Sequence, residues 1–253
     1  MFRKIGVFGF GLLGGALCSA VKNLDAPVSI TVFDSDAGRA DQAVRLGLAD
    51  RAGAAGPGCA AGLDLVVITA PVVAALDILG LVLNDPELPE AALVIDAGSV
   101  KQPIVDAALS GVRPGAFIGC HPMTGSEKSG YRPELGNIYE GASVIITPHH
   151  LNAPADTERA ALFWRSLGAR TFVTTAELHD RIISLTSHMP HLAAALLVEG
   201  IERAGRDEGL DFAHHIGRGF LDMTRIASGS PEMWRDICVL NRQRILDGIE
   251  AFR

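Results

Sequence analysis

Two apolar periodicities alternate along the first part of this chain. Short, nearly continuous apolar runs, typical of buried parallel strands, are separated by stretches with helical spacing. The predicted strands span 4–8, 28–33, 64–69, 92–96, 115–119, 143–147 and 170–173. The predicted helices span 12–22, 37–46 and 156–167, and the Ala- and Gly-rich segment 52–62 is predicted as a loop. Strands that alternate with helices indicate an α/β fold with a parallel, doubly wound sheet.

The pattern changes after Thr174, where the strand signals stop. Apolar residues then recur every three or four positions, as on one face of an α-helix: Leu178, Ile182, Leu185, Met189, Leu192 and Leu196. Pro190 lies inside this stretch and is expected to kink the helix. We therefore predict an α/β domain over 1–174 and an all-helical domain over 175–253. Such a small domain is expected to bury its apolar stripe in a homodimer.

A glycine motif follows the first predicted strand. Gly9 permits a tight turn, Gly11 lets a pyrophosphate approach the backbone, and Gly14 lets the next helix pack on the strand. The N-terminus of that helix offers N–H groups and partial positive charge to phosphates. Asp34 ends the second strand, where a carboxylate accepts hydrogen bonds from ribose hydroxyls. The motif predicts a Rossmann-type domain that binds NAD, because Asp34 would repel the 2′-phosphate of NADP.

Asp34 has one alternative interpretation, as the cap of the helix that follows the second strand. Ser35 and Asp36 are also able to fill that role, which would leave the Asp34 carboxylate for the ribose.

Composition restricts the class of protein further. The chain has 253 residues, of which 48% are hydrophobic and 20% charged, so a sizeable buried core is expected. A net charge of -7 argues against a nucleic-acid-binding surface or a polybasic membrane patch. The four cysteines lack metal-binding spacing and indicate a reducing compartment. No uncharged apolar run is expected to span a bilayer, so we predict a cytoplasmic protein.

Polar side chains cluster at the predicted carboxyl ends of strands, where α/β sheets bind ligands. Thr69, closely followed by Pro71, ends one strand, Ser99 follows the next, and His121 follows a third. We expect Thr69, Ser99 and His121 to face one crevice beside the cofactor. A neutral imidazole at His121 is able to accept a substrate hydroxyl proton. Ser99 has an alternative interpretation as the cap of a helix that begins at Gln102.

The helical region offers two further pairs of polar residues. His188 and His191 share a helix face, and a substrate or orienting role is favoured over a metal site because no third ligand stands nearby. Asp222 and Arg225 have the same spacing, so the carboxylate is expected to hold the guanidinium for an anionic ligand. The alternative is a plain surface ion pair. The other histidines are interpreted as surface or core residues: His149, His150, His179, His214 and His215.

The chain resembles the prephenate/arogenate (cyclohexadienyl) dehydrogenases of tyrosine biosynthesis in five segments, which occur in family order along almost its whole length. The segments are Gly-Leu-Leu-Gly-Gly at 11–15, Asp-Ala-Gly-Ser-Val-Lys at 96–101, His-Pro-Met-Thr-Gly-Ser-Glu-Lys-Ser-Gly at 121–130, Ser-His-Met-Pro-His at 187–191 and Thr-Arg-Ile-Ala-Ser-Gly at 224–229. The third and fifth segments are the most specific.

This resemblance implies a Rossmann domain, a helical dimer-forming domain, and NAD-dependent oxidative decarboxylation of prephenate or arogenate. It implies that His121 takes the proton of the ring hydroxyl and that Ser99 contacts this hydroxyl and the nicotinamide region. The implied substrate-binding residues are Ser126, His188, His191 and Arg225, the last for a substrate carboxylate. The cofactor-binding residues predicted from motif and resemblance together are Gly9, Gly11, Leu12, Leu13, Gly14, Asp34, Thr69 and Pro71. No metal is expected.

Two other functions stay open at this point. A dehydrogenase of 3-hydroxy acids would share the two-domain arrangement but would commonly use a lysine base. A non-catalytic NAD-sensing protein would need the region from Gly9 to Asp34 without the histidines and Arg225. Between prephenate and arogenate, the sequence favours neither.

Overall fold

One mixed sheet forms the centre of the first unit. The computed structural model describes residues 2–125, 130–209, 211–212 and 214–253. Their contacts divide the chain into one unit that ends at His179 and another that begins at Asp180. Within the described residues, the strands are β1 (Lys4–Phe8), β2 (Ser29–Phe33), β3 (Arg51–Gly53), β4 (Leu65–Ile68), β5 (Leu93–Asp96), β6 (Phe117–Pro122), β7 (Ser143–Thr147) and β8 (Arg170–Val173).

The strand order is β3-β2-β1-β4-β5-β6-β7-β8, and every neighbouring pair is parallel except β6 and β7. The chain adds β2 and β3 on one side of β1 and the later strands, from β4 to β8, on the other side. The strand order therefore reverses between β1 and β4, and open α/β sheets bind ligands at such a switch point. The prediction of a doubly wound, Rossmann-type sheet is confirmed.

The antiparallel strand β7 departs from the expectation of a purely parallel sheet. In its described part, the connection from β6 to β7 contains only the short 3₁₀-helix Pro133–Leu135. Parallel neighbours need a crossover connection, which is usually a helix, and without one β7 returns in the opposite direction.

Helices cover both faces of the sheet and bury its central strands. The helices of this unit are α1 (Leu12–Lys22), α2 (Ala37–Arg45), α3 (Val72–Leu83), α4 (Gln102–Leu109) and α5 (Pro154–Ser166). One core cluster contains Leu17 and Trp164, and a second contains Leu79 and Phe117. All residues of β4 and β5 are buried, which explains their continuous apolar sequences.

Two sequence predictions are wrong in their boundaries. The predicted loop 52–62 begins inside β3, whose three residues are too few to show a periodic pattern. The predicted strand 115–119 begins too early, because Pro114–Ala116 forms a 3₁₀-helix and β6 continues to Pro122. His121 therefore lies inside a strand rather than after one.

All described secondary-structure elements of the second unit are helices. Its elements are α6 (Ala176–Ile183, which the division between the units crosses), the π-helix Ser184–His188, α7 (Met189–Glu208), α8 (Arg218–Thr224), the 3₁₀-helix Arg225–Ser228, α9 (Pro231–Leu240) and α10 (Arg242–Phe252). The hydrogen-bonding register changes at the π-helix, which ends two residues before Pro190. Pro190 then occupies the first turn of α7, where its missing N–H removes no helical bond.

The predicted apolar stripe is largely exposed within this single chain. The side chains of Leu178, Ile182, Leu185 and Leu196 are between 45% and 65% exposed. Of the described helices, only the continuous run Ala176–Glu208 has the length and mean hydropathy, 1.2, of a membrane-crossing helix. The sequence expectation did not foresee that run. Core helices of soluble proteins meet the same criterion of length and composition.

A buried ion pair connects the ends of β5 and β6. The side chains of Asp96 and Lys101 are fully buried and in direct contact. Asp96 also accepts the backbone N–H groups of Gly98 and Cys120, at 3.0 and 2.9 Å. Lys101 donates to the Cys120 carbonyl at 2.8 Å. These contacts fix the turn after β5 relative to Cys120, the residue before His121.

We predict that Lys101→Met lowers the free energy of unfolding by about 3–5 kcal/mol, because it leaves the Asp96 carboxylate buried without its counter-ion. Urea denaturation measures this loss. Lys22→Met is the control, since the Lys22–Asp50 pair is partly exposed and is expected to contribute at most about 1 kcal/mol. Equal losses in the two variants would contradict the importance of the buried pair.

Candidate active site

The glycine loop after β1 has the backbone conformation that its sequence predicts. Gly9 has φ +107°, which disfavours any side chain, and a Cβ on Gly14 would lie 1.9 Å from the Gly9 carbonyl oxygen. The Thr69 hydroxyl lies 2.8 Å from that same carbonyl oxygen and 3.1 Å from the carbonyl oxygen of Phe8. Thr69 therefore supports the glycine loop at the switch point.

The start of α1 fits a dinucleotide phosphate. Gly11 precedes the helix without any side-chain cap, so the first N–H groups of α1 are available to an anion. A Cβ placed on Gly11 would meet no described atom within 4 Å, which leaves open space over the loop. Leu12 and Leu13 form the first half-buried turn, and the Leu13 carbonyl accepts the Tyr139 hydroxyl at 2.7 Å. Pro71 is exposed and immediately precedes α3.

Asp34 is turned toward the glycine loop. Its two carboxylate oxygens accept the backbone N–H groups of Phe10 and Asp36, at 2.7 and 2.9 Å. The alternative interpretation of Asp34 as a helix cap is wrong, because Asp36 caps α2 by accepting the Gly38 N–H at 2.9 Å. Each Asp34 oxygen keeps acceptor capacity, so the carboxylate is held in place and able to accept ribose hydroxyls. These residues fit NAD.

His121 lies on β6 and contacts a second histidine. Its Nδ1 atom lies 2.9 Å from Nε2 of His179, and the ring centroids are 5.1 Å apart. His121 is half-buried and His179 is buried. The sequence interpretation missed this role for His179, because the two residues are 58 positions apart and no local pattern connects them.

Cys120 does not contribute a nucleophile beside His121. Successive side chains on a strand point to opposite faces, and Cys120 is fully buried in the core. Burial raises the pKa of its thiol to about 12, so the thiolate form is strongly disfavoured.

Ser99 is half-buried in the turn between β5 and α4. Its alternative interpretation as a helix cap is wrong, because α4 begins at Gln102 and Lys101 occupies the capping position. Thr69 follows β4, Ser99 follows β5, and His121 is the second-last residue of β6, so all three lie near the carboxyl ends of neighbouring strands. The predicted substrate residue Ser126 lies outside the described residues.

In the second unit, Trp234 brings the two predicted histidines together. The His191 ring stacks on the indole with centroids 3.4 Å apart, and His188 meets it edge-on at 6.0 Å. Both histidines are buried, and burial lowers the pKa of His191. The Asn241 amide donates to the Asp180 carbonyl and approaches Nδ1 of His188 at 3.1 Å. Sequence reasoning missed Trp234 and Asn241.

Arg225 does not form the predicted pair with Asp222. It is exposed, and no ion pair or hydrogen bond joins these two described residues. The reason is that α8 ends at Thr224 and a 3₁₀-helix begins at Arg225, so the regular α-helical spacing is lost.

Two family models match nearly the whole chain. Residues 17–173 match the model described as prephenate dehydrogenase, nucleotide-binding domain. Residues 175–253 match the model described as prephenate dehydrogenase, dimerization domain.

Individual proteins give the same result. Prephenate dehydrogenase of Bacillus subtilis is 34% identical over 96% of this chain and 66% of its own length. Cyclohexadienyl dehydrogenase of Zymomonas mobilis is 26% identical over 100% of this chain and 85% of its own length. The crystal structure of prephenate dehydrogenase from A. aeolicus, in complex with hydroxyphenyl propionate and NAD⁺, has a TM-score of 0.89 at 30% identity, and the match covers 100% of this chain and 87% of that chain.

We predict that Asp34→Ser shifts the preference for NAD over NADP by about 1–3 kcal/mol, because it removes a charged hydrogen-bond acceptor and its repulsion of the 2′-phosphate. The dissociation constants of NADH and NADPH, followed by fluorescence, measure the shift. Asp36→Ser is the matched control, since it removes the same charge two residues away and keeps a helix-capping side chain. A wild-type preference for NADP, or an equal shift in the control, would contradict the assignment.

Proposed function

The chain belongs to the prephenate dehydrogenase family, and from that premise we propose that it catalyses the NAD⁺-dependent oxidative decarboxylation of prephenate, of arogenate, or of both. The observation that carries the proposal is the set of residues at the carboxyl ends of the parallel strands. The glycine loop and Asp34 there fit a dinucleotide, and His121 lies near the end of β6. The A. aeolicus enzyme in its crystal structure holds hydroxyphenyl propionate, which contains the aromatic ring that such a reaction would produce.

The two alternatives from the sequence have less support. A dehydrogenase of 3-hydroxy acids is not favoured, because both family models name prephenate dehydrogenase and together they span residues 17–253 apart from 174. A non-catalytic NAD-sensing protein would have no need for a histidine that is fixed at the sheet edge by a second histidine.

The chemistry proposed for the chain's own residues is proton removal and alignment. His121 accepts the proton of the ring hydroxyl as the carbinol carbon is oxidised to a carbonyl. When bound, NAD⁺ supplies the acceptor for the hydride that leaves this carbon. Departure of the ring carboxylate as CO₂ returns its bonding electrons to the ring, which becomes aromatic. The protein therefore mainly aligns the reacting groups and excludes water.

Five further residues are proposed to bind substrate. Ser99 is assigned to the ring hydroxyl and the nicotinamide region of the cofactor. Ser126, His188 and His191 are assigned to substrate binding, and Arg225 is assigned to a substrate carboxylate. In support, Arg225 is exposed and makes no ion pair with Asp222, so its guanidinium is not committed to that neighbour.

The proposed domain roles follow the family models. We assign 1–174 to cofactor binding and 175–253 to substrate binding and to the homodimer. The exposed leucines of the apolar stripe support a dimer, because a second copy would remove them from water. We further propose a cytoplasmic location without nucleic-acid or membrane partners, which agrees with the four free cysteines.

We predict that two substitutions change different kinetic parameters, one chiefly kcat and the other chiefly KM. His121→Asn lowers kcat by roughly 10²–10⁴-fold with little change in KM, because a general base acts mainly in the transition state. Arg225→Ala chiefly raises KM, by about 2–4 kcal/mol expressed as free energy, because it removes a charged contact in both ground and transition states. NADH absorbance with prephenate and with arogenate provides the assay.

The exposed His150 supplies the control His150→Asn, which is expected to keep wild-type kinetics. A wild-type enzyme inactive on both substrates would refute the proposed function. Near-normal kcat in His121→Asn would refute the role of His121.

We predict that Leu196→Glu dissociates the homodimer, because it places a charge on an apolar side chain that is 65% exposed in the single chain. Light scattering at micromolar concentration is expected to show twice the chain mass for the wild type and the chain mass for the variant. Leu162→Glu is the control, since Leu162 is 55% exposed but lies on α5. A monomeric wild type would contradict the proposal.

A further inference from the structure

The contact between His121 and His179 limits which ring nitrogen of His121 carries a proton. Nδ1 of His121 and Nε2 of His179 are 2.9 Å apart, and the two rings are inclined by 67°. Between two neutral imidazoles, one of these nitrogens must carry a hydrogen and the other a lone pair. The hydrogen bond therefore selects one of two combinations of tautomers, and only one of them leaves a lone pair on Nε2 of His121.

We propose that His179 is a positioning residue whose Nε2 lone pair accepts the Nδ1–H of His121. This places the lone pair of His121 on its own Nε2 atom. The inference rests on the proposed function, in which His121 accepts the hydroxyl proton. In the reverse arrangement, Nε2 of His121 would carry hydrogen and its only lone pair would already bind His179, so His121 would be unable to act as a base.

Proton transfer strengthens this arrangement. When His121 takes the hydroxyl proton at Nε2, its Nδ1–H stays in place and becomes part of an imidazolium. The hydrogen bond to a neutral His179 is then charge-assisted, and such bonds are about twice as strong as neutral ones. His179 thus stabilises the state that forms during the reaction more than the ground state, which is the condition for an effect on kcat.

His179 contacts the part of His121 that the strand pairing does not fix. The backbone of His121 is already fixed, because Cys120 is held by Asp96 and Lys101 and His121 pairs with Ile145 on β7. These backbone contacts do not set the rotation or the tautomer of the imidazole, and His179 contacts that ring directly.

His179 itself is held firmly enough for this task. Its side chain is only 2% exposed. It lies near the start of α6, where its backbone N–H donates to the Thr175 carbonyl at 2.9 Å. The Thr175 hydroxyl accepts the Leu178 N–H at 3.2 Å and so caps the helix.

Two substitutions of His179 separate the hydrogen bond from packing. His179→Leu removes the acceptor, and we expect a loss in kcat of roughly 10–100-fold with KM nearly unchanged, a fraction of what a general base contributes. His179→Gln places an amide oxygen near the position of Nε2, and we expect it to restore most of the wild-type kcat. His149→Leu is the control, because this half-buried histidine bonds the Pro114 carbonyl instead and is expected to keep kcat.

A second readout needs neither cofactor nor substrate. In protein labelled with ¹⁵N-histidine, long-range ¹H–¹⁵N spectra report which ring nitrogen carries hydrogen, and the signals missing from His121→Asn identify His121. We expect Nδ1–H for His121 in the wild type and in His179→Gln, and a shift toward Nε2–H in His179→Leu.

A wild-type His121 protonated at Nε2 would overturn the inference, as would unchanged kcat in His179→Leu. If His179→Leu fails to fold, the wild-type spectrum and the His179→Gln kinetics still decide. A wild type that is inactive on both substrates but shows Nδ1–H would refute the proposed function while leaving the direction of the hydrogen bond confirmed.

Discussion

The buried contact between Asp96 and Lys101 is the constraint on which the position of His121 depends. Moving two charges out of water costs several kcal/mol for each, and their mutual attraction offsets this only with good geometry and additional hydrogen bonds. Here those bonds exist, because Asp96 accepts two backbone N–H groups and Lys101 donates to a carbonyl. Both backbone groups of Cys120 are involved, so the energetic demand of the pair also fixes the residue that precedes His121.

In the region around the glycine loop, a carboxylate is held in place without a buried charge pair. Asp34 stays at the half-exposed mouth of the loop, and two backbone N–H groups orient its carboxylate. Such bonds leave a net negative charge available to a ligand, whereas Lys101 neutralises that of Asp96. Asp34 and Asp96 therefore differ because of their partners: Asp96 is a structural anchor, and Asp34 keeps the charge that the proposed recognition of the ribose requires.

Features that depend on nearby residues could be predicted from the sequence, and those that depend on distant partners could not. The glycine loop, its helix and Asp34 lie within one βαβ unit, so their spacing defines their geometry. No local pattern indicated a role for His179, because its contact is with His121, 58 positions away along the chain. Lys101 was visible only as part of a motif, since nothing local shows that a lysine is fully buried. The Asp222–Arg225 pair failed because the helix changed its pitch between them.

The least expected element, the antiparallel strand β7, explains how a histidine at the sheet edge is held. β5 ends at Asp96, and β6 continues past it because β7 pairs with Cys120, His121 and Pro122. The Met123 N–H extends this ladder by donating to Ser143 at 2.7 Å. A base carried on a paired strand is placed more accurately than one on a loop, and rate depends steeply on such placement. The reversal of β7 therefore contributes to the site directly, since a β6 that ended where the sequence predicts would leave His121 on an unpaired loop.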